Sequence, residues 1–264
     1  YLRNLEEKKQ QVLASIEEQG KLTEELKSQI LAAETMVVVD DLYRPYRPKR
    51  RTRATIAKEK GLEPLANLIR LQLTNMISLQ MVEHEILEEA EKFVDGEKGV
   101  NTPQEALEGA GDIIAEFISD EADYRIYIRE LTMKKGRIVS AAKDKEAESV
   151  YEMYYEFDEA LNRLAGHRIL ALNRGEGEKI LTVKVEAPEE DVLRYLEKKI
   201  ITRDNQYTTP VLKEVIADSY KRLIAPAIER EIRNELTEKA EDGAIKVFGK
   251  NLEQLLMQPP ITNQ

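Results

Sequence analysis

Apolar residues recur at helical spacing along most of the chain. Near its start, Leu2, Leu5, Val12, Leu13 and Ile16 stand among charged residues. This spacing places apolar side chains on one face of a helix, where they can pack against a core. The same pattern predicts a mainly α fold, since it returns over residues 24–39, 63–73, 78–95, 102–117, 120–134, 209–223 and 226–248.

Residues that favour helix ends flank several of these patterns. Thr23 precedes two glutamates, and the run Thr102-Pro103-Gln104-Glu105 combines a capping threonine with a first-turn proline and a glutamate three positions on. Gly20 and Gly61 stand where helices are expected to end. Two short helices joined at Gly61 suggest a helix-turn-helix, although an ordinary helical corner explains the same pattern.

Two glycines interrupt the helix predicted after Thr102. Gly109 and Gly111 lower its intrinsic helix propensity. Because a glycine lets another element approach closely, we expect tight helix–helix packing at this point.

The β signal is limited to the middle of the chain. Residues 181–186 alternate apolar and polar side chains, which predicts a strand. Residues 168–173 could pair with them as a hairpin or form a short helix, and residues 136–140 are expected to be a short extended segment. Residues 145–164 are predicted to be helical, with one apolar side formed by Val150, Tyr151, Tyr154, Phe157, Leu161 and Leu164.

The predicted architecture is a multi-helical scaffold of two packed helical subdomains with a small β element near residues 168–186. The break near residue 136 suggests domains at residues 1–134 and 135–264. At 264 residues the chain is long enough for either one large or two medium cores.

Charge is distributed unevenly along the chain. The whole sequence has 40 basic and 50 acidic residues, a net charge of −10. Residues 43–60 carry eight basic residues and one acid, whereas residues 81–121 carry thirteen acids and two lysines. A wholly cationic nucleic-acid surface is therefore excluded, but a local basic site beside an acidic face is not.

Composition also narrows the cellular setting. The chain has no cysteine, which excludes disulfides and thiolate metal sites and is typical of a reducing cytoplasm. No apolar run reaches the length of a membrane span, and no secretory signal is visible. The chain opens at Tyr1 without an initiator methionine and ends after Pro259-Pro260. We therefore expect a cytoplasmic protein without a membrane partner, of which this sequence is a piece.

No pattern in the sequence predicts catalysis. His84 and His167 lack metal-ligand spacing with other candidates. Gly109-Ala110-Gly111 follows no strand, and Gly175-Glu176-Gly177 lacks the lysine of a phosphate-binding loop. We expect no enzymatic activity, no metal site and no cofactor.

The basic loop, residues 43–53, is the main functional candidate. It has six basic side chains, no acid, two tyrosines and two prolines, and the prolines predict an extended backbone at Arg44 and Arg47. Guanidinium groups and phenol rings suit phosphate and base contacts. The candidate nucleic-acid-binding residues, whose cations we expect to face solvent, are Arg44, Arg47, Lys49, Arg50, Arg51, Arg53 and Tyr46. The alternative is a structural loop that caps helices and pairs with nearby carboxylates.

The same segment resembles the signature of the Tex family, bacterial transcription-accessory proteins similar to a eukaryotic transcription-elongation factor. The similarity runs from Asp41-Leu42-Tyr43 through Pro45-Tyr46 and residues 48–54 to residues 61–66. Further matching stretches are residues 106–110, residues 167–171 with Arg174-Gly175-Glu176, residues 231–236 and residues 251–256.

The resemblance implies a helical scaffold associated with nucleic acid and no known reaction. Its expected partners are RNA or DNA, bound weakly and without sequence specificity, and RNA polymerase or other transcription and RNA-processing proteins. The alternative function is a protein-interaction module that docks on the transcription machinery through its acidic helices. The YqgF-like, helix-hairpin-helix and OB-fold domains of the family are not recognisable in this sequence.

Overall fold

The computed structural model describes residues 1–72 and 86–257. Helices dominate, as predicted. They are α1 Leu2–Glu18, α2 Glu24–Ala32, α3 Met36–Tyr43, α4 Arg53–Glu59, α5 Glu63–Arg70, α6 Ile86–Glu91, α7 Pro103–Asp120, α8 Ala122–Lys135, α9 Gly166–Gly177, α10 Glu189–Ile200, α11 Thr209–Asp218 and α12 Ala225–Leu256. The strands are β1 Arg137–Ala142, β2 Glu156–Ala160 and β3 Leu181–Glu186. In the described ranges, no helix combines the length and apolarity needed to cross a bilayer.

The predicted helix caps are confirmed. Thr23 Oγ1 accepts from the Leu26 amide at 3.1 Å, and Thr102 Oγ1 accepts from the Glu105 amide at 3.1 Å. The Glu105 carboxylate in turn accepts from the amide of Asn101, the residue before the cap, at 2.7 Å. Because these side chains satisfy amides that lack partners within the helix, they fix where α2 and α7 begin.

The described residues form two compact units, each discontinuous in sequence. The first lies within residues 1–128 and 189–226, and the second within residues 129–188 and 227–257. The division into domains at residues 1–134 and 135–264 stays a prediction.

Two groups of helices build the first unit. Helices α1 to α3 enclose a core that includes Leu13, Ile16, Ile30 and Val39. The other group packs α4, α5, α6 and α11 around α7. This second group positions the basic loop, because the loop joins α3 to α4.

Close packing on α7 explains its two glycines, as predicted. A Cβ at Gly109 would overlap the side chain of Leu62, in the turn between α4 and α5, and one at Gly111 would lie 3.2 Å from Val215 Cγ2. The turn is made at Gly61, whose φ of +76° favours glycine. The helix-turn-helix interpretation of α4 and α5 stays a prediction.

An antiparallel sheet with the strand order β2-β1-β3 lies in the second unit. Val139 pairs with Asp158 on one side and Lys184 on the other. The strand at 181–186 and the extended segment after residue 136 are confirmed. Residues 168–173 belong to α9, so the helix alternative is right and the hairpin is wrong; the β element reaches well outside residues 168–186.

The helix predicted over residues 145–164 is wrong. This segment contains turns and β2, and Val150, assigned to its apolar side, is 88% exposed. Its aromatic residues match a helical period, but β1 offers a partner that is distant in sequence. Pairing with β1 therefore overrides the local pattern.

Two further predictions have partial outcomes. The acidic helix expected over residues 78–95 is seen as α6 from Ile86, while its earlier part, with His84, lies outside the described residues.

The expected irregularity at Pro226 is present: a π-helical segment, Ser219–Ile224, separates α11 from α12. Proline cannot donate the helical amide bond, which accounts for the change in hydrogen bonding before it.

Candidate nucleic-acid interface

The basic loop is less extended than its prolines suggest. Arg44 has φ −51° and ψ −45° and opens a 3₁₀ turn, Arg44–Tyr46, so the prediction of an extended Arg44 is wrong. Its amide donates to Asp40 O, and this continuation of α3 outweighs the steric preference before proline. Arg47 is extended as predicted, with φ −64° and ψ 133°.

Both tyrosines of the loop anchor it to α1, α2 and α3. The Tyr43 hydroxyl lies 2.9 Å from Ser15 Oγ, and the Tyr46 carbonyl accepts from Gln19 Nε2 at 2.8 Å. Both rings pack against the core of these three helices and remain partly exposed. Tyr46, a candidate for base stacking, therefore also has a structural role.

Two of the loop cations are held by α7. Lys49 Nζ lies 2.9 Å from Glu116 Oε1 and also pairs with Asp120. Arg44 Nε lies 3.4 Å from Asp120 Oδ1. Burial raises the pKa of Asp120 above its ordinary value, although the hydrogen bond and the charge of Lys49 act in the opposite direction. These contacts fix the loop against α7, as the structural alternative requires.

Two other cations form pairs near the surface. Arg47 Nη2 lies 3.4 Å from Asp40 Oδ1, and Arg51 Nη2 lies 2.8 Å from Glu59 Oε2 with 68% of the Arg51 side chain exposed. Exposed pairs of this kind contribute at most about 1 kcal/mol, so a phosphate can replace such a carboxylate at little cost.

Arg50 and Arg53 differ from the other four. Both are exposed, and neither forms an ion pair with any residue in the part of the chain that the structure describes. Together with Arg51 they form an exposed cationic segment at the start of α4, here called the arginine segment (Arg50, Arg51 and Arg53).

A cavity of about 310 Å³ lies between the basic loop, α7 and the π-helical segment. Arg50, Arg53 and Arg222 contribute to its lining, together with Asp112. Arg222 Nη2 lies 2.9 Å from Asp218 Oδ2 and 3.5 Å from Asp112 Oδ1. Burial raises the pKa of Asp112, while the positive charges of Arg222 and Arg53 lower it. Six cationic and three anionic side chains line the cavity, and the basic loop contributes five of the six cations.

Buried hydrogen bonds place Arg222 beside this cavity. Ser219 Oγ donates to Ala115 O at 2.7 Å, and Arg125, fully buried, donates from Nη2 to Leu223 O at 3.3 Å. Both contacts bind the π-helical segment to the α7 side of the unit, so Arg222 reaches Asp112.

Arg222 and the α7 carboxylates were not predicted from the sequence as parts of this site. Asp112, Glu116 and Asp120 recur every four residues, which places them on one face of α7. That spacing could have predicted an acidic face of α7 opposite the cations of the basic loop. Arg222 had no such signal, since its position depends on tertiary packing.

His167, the one histidine among the described residues, does not line this cavity. His167 lies in the first turn of α9, and His84 is outside the described ranges. Within residues 1–72 and 86–257, no three His, Cys, Asp or Glu side chains are grouped so as to hold a metal ion.

Comparisons with known proteins place the chain among related sequences. A family model described as Tex central region-like matches residues 82–248. The chain is 48% identical to the uncharacterised protein YdcI of Bacillus subtilis, over 99% of this chain and 36% of that protein. It is 32% identical to the transcriptional accessory protein Tex of Neisseria gonorrhoeae, over 98% of this chain and 34% of that protein.

A human protein is also similar. The chain is 28% identical to the S1 RNA-binding domain-containing protein 1 of Homo sapiens, over 98% of this chain and 26% of that protein. The chain therefore spans between a quarter and about a third of the length of these relatives.

Proposed function

Since the chain belongs to the Tex family, we propose that it is a nucleic-acid-associated scaffold region that acts in transcription or RNA metabolism. The names of two relatives support this proposal, because one is called a transcriptional accessory protein and the other contains an S1 RNA-binding domain. RNA or DNA is the proposed partner, with RNA polymerase and other transcription proteins as further candidates.

The arginine segment carries the proposal. Arg50 and Arg53 are exposed beside the first cavity and lack ion pairs among the described residues, while the pair of Arg51 is exposed. Guanidinium groups bind phosphate through two parallel hydrogen bonds, so this segment can contact neighbouring phosphates of one strand. Such contacts position a strand without reading its sequence.

The remaining loop residues support this surface. Arg44 and Lys49 are committed to α7 carboxylates, and Tyr43 and Tyr46 pack on α1 to α3. We therefore assign them the role of holding the loop in place. Arg47 also lines the cavity but pairs with Asp40, so it contributes a weaker contact.

A charge-matched pair of triple variants tests the proposal. The first variant replaces Arg50, Arg51 and Arg53 with alanine. The control replaces Lys213, Lys246 and Lys250, which are exposed on α11 and α12, with alanine. Both lose three positive charges, so a difference between them reports the position of the charge and not its amount.

Binding of a fluorescently labelled single strand should fall for the first variant by more than for the control. Loss of three phosphate contacts predicts a decrease of at least about tenfold at low salt. The helical content of both variants, measured by circular dichroism, should equal that of the parent. Equal binding by both variants would contradict the proposal.

A second function has its own support. The ion pairs between the basic loop and α7 are also expected for a purely structural loop, which favours a protein-interaction module. If the arginine-segment variant binds a strand like its parent, or unfolds, the protein-interaction function replaces nucleic-acid binding.

We also propose that the chain acts by binding and not by catalysis. Among described residues no three His, Cys, Asp or Glu side chains are grouped so as to hold a metal ion, and the sequence has no cysteine. Incubation with Mg²⁺ and labelled RNA or DNA should leave the strand intact, and cleavage that survives repurification would contradict this.

A further inference from the structure

A second cavity adjoins the first on the other side of Lys49. Its volume is about 600 Å³, and α5, α7 and the basic loop form its walls. Lys49, Glu116 and Asp120 line both cavities, so the ion pairs of Lys49 separate them. A cavity of this volume is within the range that accommodates a small molecule or one nucleotide.

An arginine and an exposed aromatic ring form one wall of the second cavity. The guanidinium carbon of Arg70 lies 4.2 Å from the centroid of the Phe117 ring. Phe117 is nevertheless 51% exposed, whereas Ile113 and Ile114, also on α7, are 8% and 1% exposed. Exposed aromatic rings and guanidinium planes are the surfaces on which proteins stack unpaired bases.

The polar groups of this cavity suit a base better than a phosphate. Glu63 and Glu121 contribute carboxylates that repel a phosphate. Asn67 has an amide that can both donate and accept, as the edge of a base requires. Lys58, which lines this cavity, and the arginine segment provide cations nearby that can bind the phosphates of the same strand.

We propose that the second cavity binds one unpaired base of a single-stranded nucleic acid, stacked against Phe117 and Arg70. This inference rests on the proposed function, because the phosphates flanking that base must contact the basic loop. It adds that the partner is single-stranded, since a base within a duplex is not free to enter the cavity.

Two strands that differ only in their bases test the inference. One is an oligothymidine of about ten nucleotides, and the other is an abasic strand with the same number of phosphates. The full chain should bind the oligothymidine tighter by between about fivefold and about a hundredfold. Phe117→Leu keeps an apolar side chain without the ring and should remove this difference, while binding of the abasic strand stays unchanged.

Further variants control for structure and location. Phe117→Tyr retains the ring and should keep the preference for the oligothymidine. Arg70→Lys keeps the charge without the guanidinium plane and should reduce the preference even if Phe117→Leu fails to fold. Phe248→Leu, at a ring 68% exposed on α12, should behave as the parent.

The outcomes separate this inference from the proposed function. Equal affinity for the two strands, with a salt-dependent affinity, would overturn base binding and leave phosphate binding intact. A preference for the oligothymidine that survives in both Phe117→Leu and Arg70→Lys would place the base elsewhere and overturn the assignment. If neither strand binds, the proposed function fails and the inference fails with it.

Discussion

The six cations of the basic loop have three different environments. Lys49 and Arg44 are tied to α7, Arg47 and Arg51 form pairs near the surface, and Arg50 and Arg53 are exposed beside a cavity. The density of positive charge was evident from the sequence, but the sequence did not show which cations form ion pairs and which are exposed. The pairing depends on which carboxylates α7 brings within reach, and so on tertiary packing.

One prediction at the residue scale concerns Asp120. Burial raises its pKa from an ordinary value of 3.8, so the ionised carboxyl destabilises the fold relative to the protonated form. Asp120→Asn resembles the protonated form and should be more stable than the parent near neutral pH. This advantage should shrink as the pH falls through the folded-state pKa of Asp120, because the parent then gains the same neutral group.

Urea unfolding at about pH 7 and about pH 4.5 measures this effect. Asp242→Asn, exposed on α12, is the control and should change stability by no more than about 0.5 kcal/mol at either pH. A variant that is less stable than the parent at neutral pH and equals it in acid would show that the pairs with Lys49 and Arg44 outweigh burial.

At the scale of elements, α7 is the centre of the first unit. It packs against α4, α5, α6 and α11, and its carboxylates hold the basic loop. Its start and its close packing were predictable, because Thr102, Pro103 and the two glycines act through local chemistry. Segment 145–164 was not predictable in this way, since β2 depends on pairing with β1.

The glycines provide a test of the packing on α7. Gly109→Ala adds a Cβ that overlaps the Leu62 side chain and should cost about 1–3 kcal/mol of unfolding free energy. Gly243→Ala lies in α12 with no other side chain near its Cβ and should instead stabilise by about 0.5–1 kcal/mol. Opposite signs in urea unfolding would confirm the close approach of α7 to the turn at Leu62, and equal effects would contradict it.

At the scale of the whole molecule, the net charge of −10 opposes the approach of a polyanion. The arginine segment is a small cationic surface on a chain that is otherwise acidic. We therefore expect weak binding by this chain alone, on the order of 10⁻⁴ to 10⁻⁶ M near physiological salt.

The dependence of affinity on salt tests the central claim most directly. Each phosphate contact on a single strand contributes about −0.7 to the slope of log affinity against log salt. Three contacts from the arginine segment contribute about −2 to the slope of the unaltered chain, and alanine at Arg50, Arg51 and Arg53 should remove that contribution and leave only the smaller one of the remaining cations. A slope near zero in the parent, or one of about −2 that the triple variant retains, would contradict the assignment of the arginine segment as the phosphate-binding surface.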